Sequence, residues 1–186
     1  IKKIMSELWP NQLSNRNFLS PVGFKFSIVK IPKADFFANQ AMIPGVDLGF
    51  AEQPTYLKNL PIPGDKMSYG DFQLRFLIDE NMENYLEVHN WLRGLGYPQN
   101  IEEFQDLKKG DKYYPEKSAK SPYNEYSDGT LFIYNSSFIV NTKVKFKDLF
   151  PTSLSSIEFD ATSGDIDYAT AEVNFKYSIY DIEVVT

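Results

Sequence analysis

The chain has 186 residues, no cysteine, a single histidine and a net charge of −6. These totals fit one domain of ordinary size and exclude disulfides, thiolate metal sites and cysteine nucleophiles. They also argue against general nucleic-acid binding, which needs a positive surface. Fifteen Phe and twelve Tyr favour strands, where aromatic rings fit a pleated, half-buried surface.

In chain order, Ile1, Ile4, Met5 and Leu8 fall at helical spacing and predict a short amphipathic helix ended by Pro10. The basic-then-apolar start is too short for a signal peptide. Residues 22–32 alternate, with Phe24, Phe26 and Ile28 on one face, and predict a strand. A second strand is expected over 34–45, closed by Pro44-Gly45. Between residues 46 and 70, glycines at 49, 64 and 70 and prolines at 54, 61 and 63 predict a long irregular β-hairpin or extended loop. Loops of that length in compact domains are usually functional.

Residues 70–79 alternate again through Phe72, Leu74, Phe76 and Ile78. A helix over about 80–93 follows, with Asp79 as its expected N-cap and Glu80 and Glu83 in the first turn. Tyr85, Leu86, His89, Trp91 and Leu92 are expected to form its packing face. Residues 99–127 predict a polar surface loop, with a short helix near 101–107. Strands are then expected over 129–136, 138–151, 154–162 and 168–184. No apolar run approaches a membrane span of about 20 residues. The sum is an α+β, mainly β domain, a barrel or sandwich with one flanking helix.

Catalytic constellations are weak. His89 has acids nearby in sequence, yet Glu87 points elsewhere on a helix, and no nucleophile or zincin pattern completes a site. The acids of 158–172 lack the spacing and glycine of a calcium loop; Asp160, Asp165 and Asp167 fit a solvated hairpin or a negative surface facing DNA or a partner. Lys and Tyr interleave in 104–126, but interspersed acids prevent a basic stripe. No catalytic, metal or cofactor residue is assigned, and no cofactor is expected. On the 46–70 hairpin, Tyr56, Leu57, Leu60 and Ile62 are apolar residues at exposed positions, which usually mark a contact surface.

The order of these parts carries a resemblance. VGFKFSI at 22–28 leads to IPGVDLG at 43–49, then LPIPGDKMSYGDFQLRFLIDE at 60–80 and the helix through Trp91. FKDLFPTSLSSIEFDAT follows later, from 146. This resembles the tail-tube-fold proteins of contractile-tailed phages, and among them the T4-type tail completion, or tail terminator, group. The resemblance implies residues 16–186 as one tail-tube-like domain after an N-terminal segment of 1–15. It implies a homohexameric ring around a DNA-wide lumen, with the hairpin contacting neighbouring subunits. The implied partners are the tail tube protein, the sheath or sheath terminator and neck proteins, in the phage tail of a virion. DNA would pass through without sequence-specific binding. A tube subunit or tube initiator is the alternative within the family. A monomeric ligand-binding sandwich and a carboxylate-pair hydrolase are the alternatives outside it.

Overall fold

The structure is a computed structural model that describes residues 18–30, 38–109, 125–159 and 168–185. The expected N-terminal helix and the acids Asp160, Asp165 and Asp167 lie outside these residues. Nine strands and two helices are described: β1 Phe24–Ile28, β2 Ala38–Met42, β3 Val46–Pro54, β4 Asn59–Tyr69, β5 Phe72–Leu77, α1 Glu83–Gly96, α2 Ile101–Lys109, β6 Ser127–Tyr134, β7 Val140–Leu154, β8 Thr170–Lys176 and β9 Ile179–Val184. The architecture is mainly β, as the alternating sequence predicts, and every described strand pair is antiparallel.

The strand order is β1-β6-β7-β8-β5-β2, with β9 also paired to β7. The long strand β7 belongs to two halves of this sheet. Its first part pairs β6 and β9, and its last residues, Phe150 to Leu154, pair β8. The switch falls at Asp148, whose φ of 55° puts a non-glycine residue in the left-handed region. Such a kink turns one strand across two layers.

Alternation places one face of each strand in a common core. Phe26 from β1, Phe72 from β5, Phe146 from β7 and Phe175 from β8 are buried. Phe72 sits among the other three, with ring centroids 4.7, 4.5 and 6.2 Å away. Helix α1 adds Trp91 against Phe175 at 6.2 Å. Burying such rings supplies the main stabilisation, about 1.5–3 kcal/mol for each large apolar side chain.

The helix starts later and faces differently than the sequence suggests. Its cap is Met82 in a left-handed conformation, and Asp79 instead closes the preceding turn through a 2.8 Å bond from the Met82 N–H to its carbonyl. Buried Asn84 joins the strand to the helix. Its Nδ2 donates to the Leu77 carbonyl at 2.8 Å, while its Oδ1 accepts from the Asp79 and Tyr85 N–H groups. That arrangement fixes the rotation of α1. At roughly 100° per residue, Asn84, Val88, Trp91 and Leu95 form the inward arc, with Tyr85 and Leu92 on its flank. Leu86 then falls on the opposite side, 47% exposed, and His89 is exposed as well. Both were expected to pack inward.

Three further expectations are corrected. Residues 155–159 are not strand, because β7 runs on to Leu154 and ends there. The single strand expected over 168–184 breaks at Tyr177-Ser178, so that β8 and β9 serve opposite parts of β7. The loop expected over 99–127 ends early, because Ser127 already opens β6; the short helix expected near 101–107 within it is present as α2, joined to α1 by a 2.6 Å bond from Arg93 Nε to Glu103.

Candidate assembly interface

Strands β3 and β4 form a separate two-stranded ladder, from Val46 opposite Tyr69 to Pro54 opposite Asn59. All nine residues of β3 are exposed, and β4 is exposed except at Gly64 and Tyr69. An isolated two-stranded hairpin is at best marginally stable in water. This one carries Leu48, Phe50, Leu60, Ile62 and Met67 into solvent. Its tip is a Thr55–Lys58 turn in which the Thr55 hydroxyl bonds the Lys58 carbonyl, leaving Tyr56 fully exposed and Leu57 91% exposed.

The ladder is irregular at its middle. Leu48 faces Met67, but two residues later Phe50 faces Pro63. Gly49 and Gly64 meet at this shift. A Cβ on Gly64 would lie 2.5 Å from the Gly49 carbonyl oxygen, so only glycine allows the backbones to approach this closely.

The hairpin is fastened at its root. The Gly70 N–H donates to the Gly45 carbonyl at 3.0 Å. Two tyrosines, Tyr177 of the β8–β9 connection and Tyr180 of β9, hold the same place: Tyr177 donates to the Gly70 carbonyl at 2.9 Å and Tyr180 to the Pro44 carbonyl at 3.2 Å. Their rings and that of Tyr69 form a triangle with centroids 5.6–6.1 Å apart. Phe146 of the core touches two of them, at 5.1 and 5.7 Å. Burial, then the neighbouring Tyr180, Asp71 and Tyr69, push the Tyr177 phenol up to about 12. The ion pair of Lys176 with Asp71 lies beside it. A chain of aromatic contacts thus runs from the core to the base of a hairpin that otherwise stands in solvent.

The site residues named from sequence separate into two groups. Tyr56, Leu57, Leu60 and Ile62 share the exposed hairpin, whereas Tyr85, Trp91 and Leu92 serve the fold. Sequence reasoning missed the root tyrosines and the glycine pair. The Gly and Pro residues at 44, 45 and 70 mark where the root lies, but no local pattern names its aromatic partners.

Among the described residues no group of three or more His, Cys, Asp or Glu side chains is placed to hold a metal ion. No described helix is long and apolar enough to cross a membrane.

A family model described as phage tail tube protein matches residues 17–183. The chain belongs to the phage tail tube protein family. No curated protein matches it in sequence. Among solved structures, the tube-terminating cap of the anti-feeding prophage aligns with a TM-score of 0.62 at 13% identity, over 95% of this chain and 97% of that one. The baseplate of the same particle aligns with a TM-score of 0.60 at 12% identity, over 92% and 97%. The sheath–tube complex of an extracellular contractile injection system, PVC, gives 0.56 at 18% identity, over 91% and 94%. At these identities the likeness is one of fold. It establishes the tail-tube fold over nearly the whole length of this family member.

Proposed function

We propose that this chain is a structural subunit that joins copies of itself into a hexameric tail terminator ring. The ring caps the tail tube of a contractile tail, stabilises the sheath and joins tail to neck around the DNA channel. The observation that carries self-assembly is the β3–β4 hairpin. Twenty residues of strand expose a series of apolar side chains while a rigid root holds them away from the chain's own core. A monomer gains nothing from that arrangement; a neighbouring subunit covers it. Repeated head-to-tail contacts of this kind close into rings. The position at the tube's end rests on the resemblance of the 43–91 block to tail completion proteins. The fold likeness to a tube-terminating cap agrees with it. The partners are then the tail tube protein, the sheath or its terminator, and neck proteins. The role is structural, with DNA passing through the lumen without sequence-specific binding.

A tube subunit is the second reading, and the description of the matching family favours it. In that case both faces of the ring must be mutually complementary. Negative-stain electron microscopy with mass photometry separates the two. Single six-fold rings are the expected result; long hollow tubes would replace the terminator with a tube subunit. A species of one chain mass, even with preformed tails present, would sink both.

A further inference from the structure

Strand pairing brings three segments to one end of the β1-β6-β7-β9 half of the sheet: the lead-in to β1, the β6–β7 turn and the end of β9. Gly23 accepts from the Tyr134 N–H at 2.9 Å, Thr142 pairs with Val184, and the Val185 N–H donates to the Asn141 carbonyl at 2.8 Å. This end is apolar and open. Val22, Phe138, Ile139, Ile182 and Val184 are all more than half exposed, and Phe18 and Leu19 precede them in the lead-in. Ile182 and Val184 pair with Val144 and Thr142 and so share the core-facing side of β9. The core layer therefore runs past its own cover here.

The turn holds Phe138 outward at a cost. Its φ is 57°, a conformation unfavourable for an aromatic residue, and its side chain is 77% exposed. Asn135 enforces this, its side-chain oxygen accepting from the Ser137 and Ile139 N–H groups at 2.9 and 3.0 Å. Nothing in the monomer is gained from the strain.

Two features select the occupant. With the lead-in counted, seven exposed apolar residues gather toward this end, and apolar residues grouped in this way, unlike ones scattered singly, mark an interaction surface. Among the described residues strand β9 pairs only with β7, so its other edge offers backbone groups to an added strand. The chain itself carries an unpartnered extended ladder with exposed apolar side chains. Its root sits by Ser178, at the other end of β9, about 20 Å away over six strand residues.

We infer that this end of the sheet is the seat for the β3–β4 hairpin of a second copy of the chain. The inference rests on the self-assembling reading above and adds the receiving surface to it. Hairpin and seat are unlike and lie at opposite ends of β9, so the contact is heterologous and repeats.

The test places photoreactive benzoylphenylalanine at position 138 in a mixture of heavy-isotope and light-isotope chains. Cross-linked peptides are mapped by mass spectrometry, and mass photometry is run on the same sample. A cross-link from position 138 to residues 46–69 of a different chain is the expected result. Assembled particles whose cross-links run to the same end of another copy, to residues 1–17 of their own chain, or nowhere, overturn the seat while leaving self-assembly standing. A sample of single chains overturns both. A second variant, Phe138→Asn, keeps a residue that tolerates the left-handed turn. Its thermal midpoint should match or exceed the wild type, while the concentration for half-assembly rises about tenfold or more, as for loss of an aromatic anchor. Unchanged assembly in that variant overturns the proposal.

Discussion

The hydroxyl of Tyr177 donates a 2.9 Å hydrogen bond to the carbonyl of Gly70, 107 residues away in sequence. This bond ties the β8–β9 connection to the root of the hairpin. Removing the hydroxyl in Tyr177→Phe keeps the ring contacts with Phe146 and Tyr69. Such a bond contributes about 0.5–1.5 kcal/mol net, so the thermal midpoint should fall modestly. Amide exchange over residues 44–70 should accelerate much more than exchange in β5 or β8. Uniform acceleration would show that the root is no separate clamp.

The same tyrosine gives an alkaline signature. Its pKa rises from 10.0 to about 12 on folding, first through burial and then through Tyr180, Asp71 and Tyr69. Above pH 10 the unfolded chain has lost this proton while the folded chain keeps it. Stability from this group is therefore fully present below about pH 10 and declines as pH rises towards about 12. Denaturant midpoints compared between pH 9 and about pH 11 should fall for the wild type. Tyr177→Phe should show a smaller fall, and an equal fall in both proteins would remove Tyr177 as its source.

Gly64→Ala probes the pinch against Gly49. The added methyl would sit 2.5 Å from the Gly49 oxygen, so the two strands must separate. The core lies elsewhere, and global stability should change by no more than about 0.5–1 kcal/mol. Loss of assembly with a retained fold is expected by mass photometry and circular dichroism; assembly at wild-type concentrations would mean the irregular ladder is not required.

Replacing Leu57 and Leu60 together with Asp should leave the melting curve near that of the wild type, since both side chains are exposed. Ring or stack formation should weaken strongly, because charge at an apolar contact is left unpaired. Rings of normal abundance in electron micrographs would disprove the hairpin as an interface.

Helix α1 offers a paired comparison. Trp91 is buried against Phe175, and its indole N–H donates to the Glu125 carbonyl at 3.1 Å. Trp91→Ala should cost about 3–5 kcal/mol. His89 is exposed, and His89→Ala should stay within about 0.5 kcal/mol. Chemical denaturation reads both, and a large effect at His89 would contradict the helix rotation fixed by Asn84.

Much of the fold was legible because alternation is a local property. Phe72, Leu74 and Phe76 announce a half-buried strand, and their burial follows from period two. Helix α1 was legible as an element, but its rotation was not. Leu86 and His89 lie on the apolar stripe that a sequence reader draws, yet Asn84 turns that stripe partly to solvent by bonding Leu77 and Asp79. A single buried polar residue outweighs Leu86 here because leaving its amide unpaired costs more than exposing a leucine.

By itself the sequence determined most of the strands as elements, the place of a long Gly- and Pro-rich excursion at 46–70 and the absence of any cysteine chemistry, since composition and period need no partner. The tertiary structure decided where the hairpin is held and what else is left uncovered. Tyr177 and Gly70, or Thr142 and Val184, meet only because β7 serves two layers, with β9 along its first part and β8 along its last. Contacts between residues so distant in sequence depend on the strand order of the whole sheet, which no local pattern encodes.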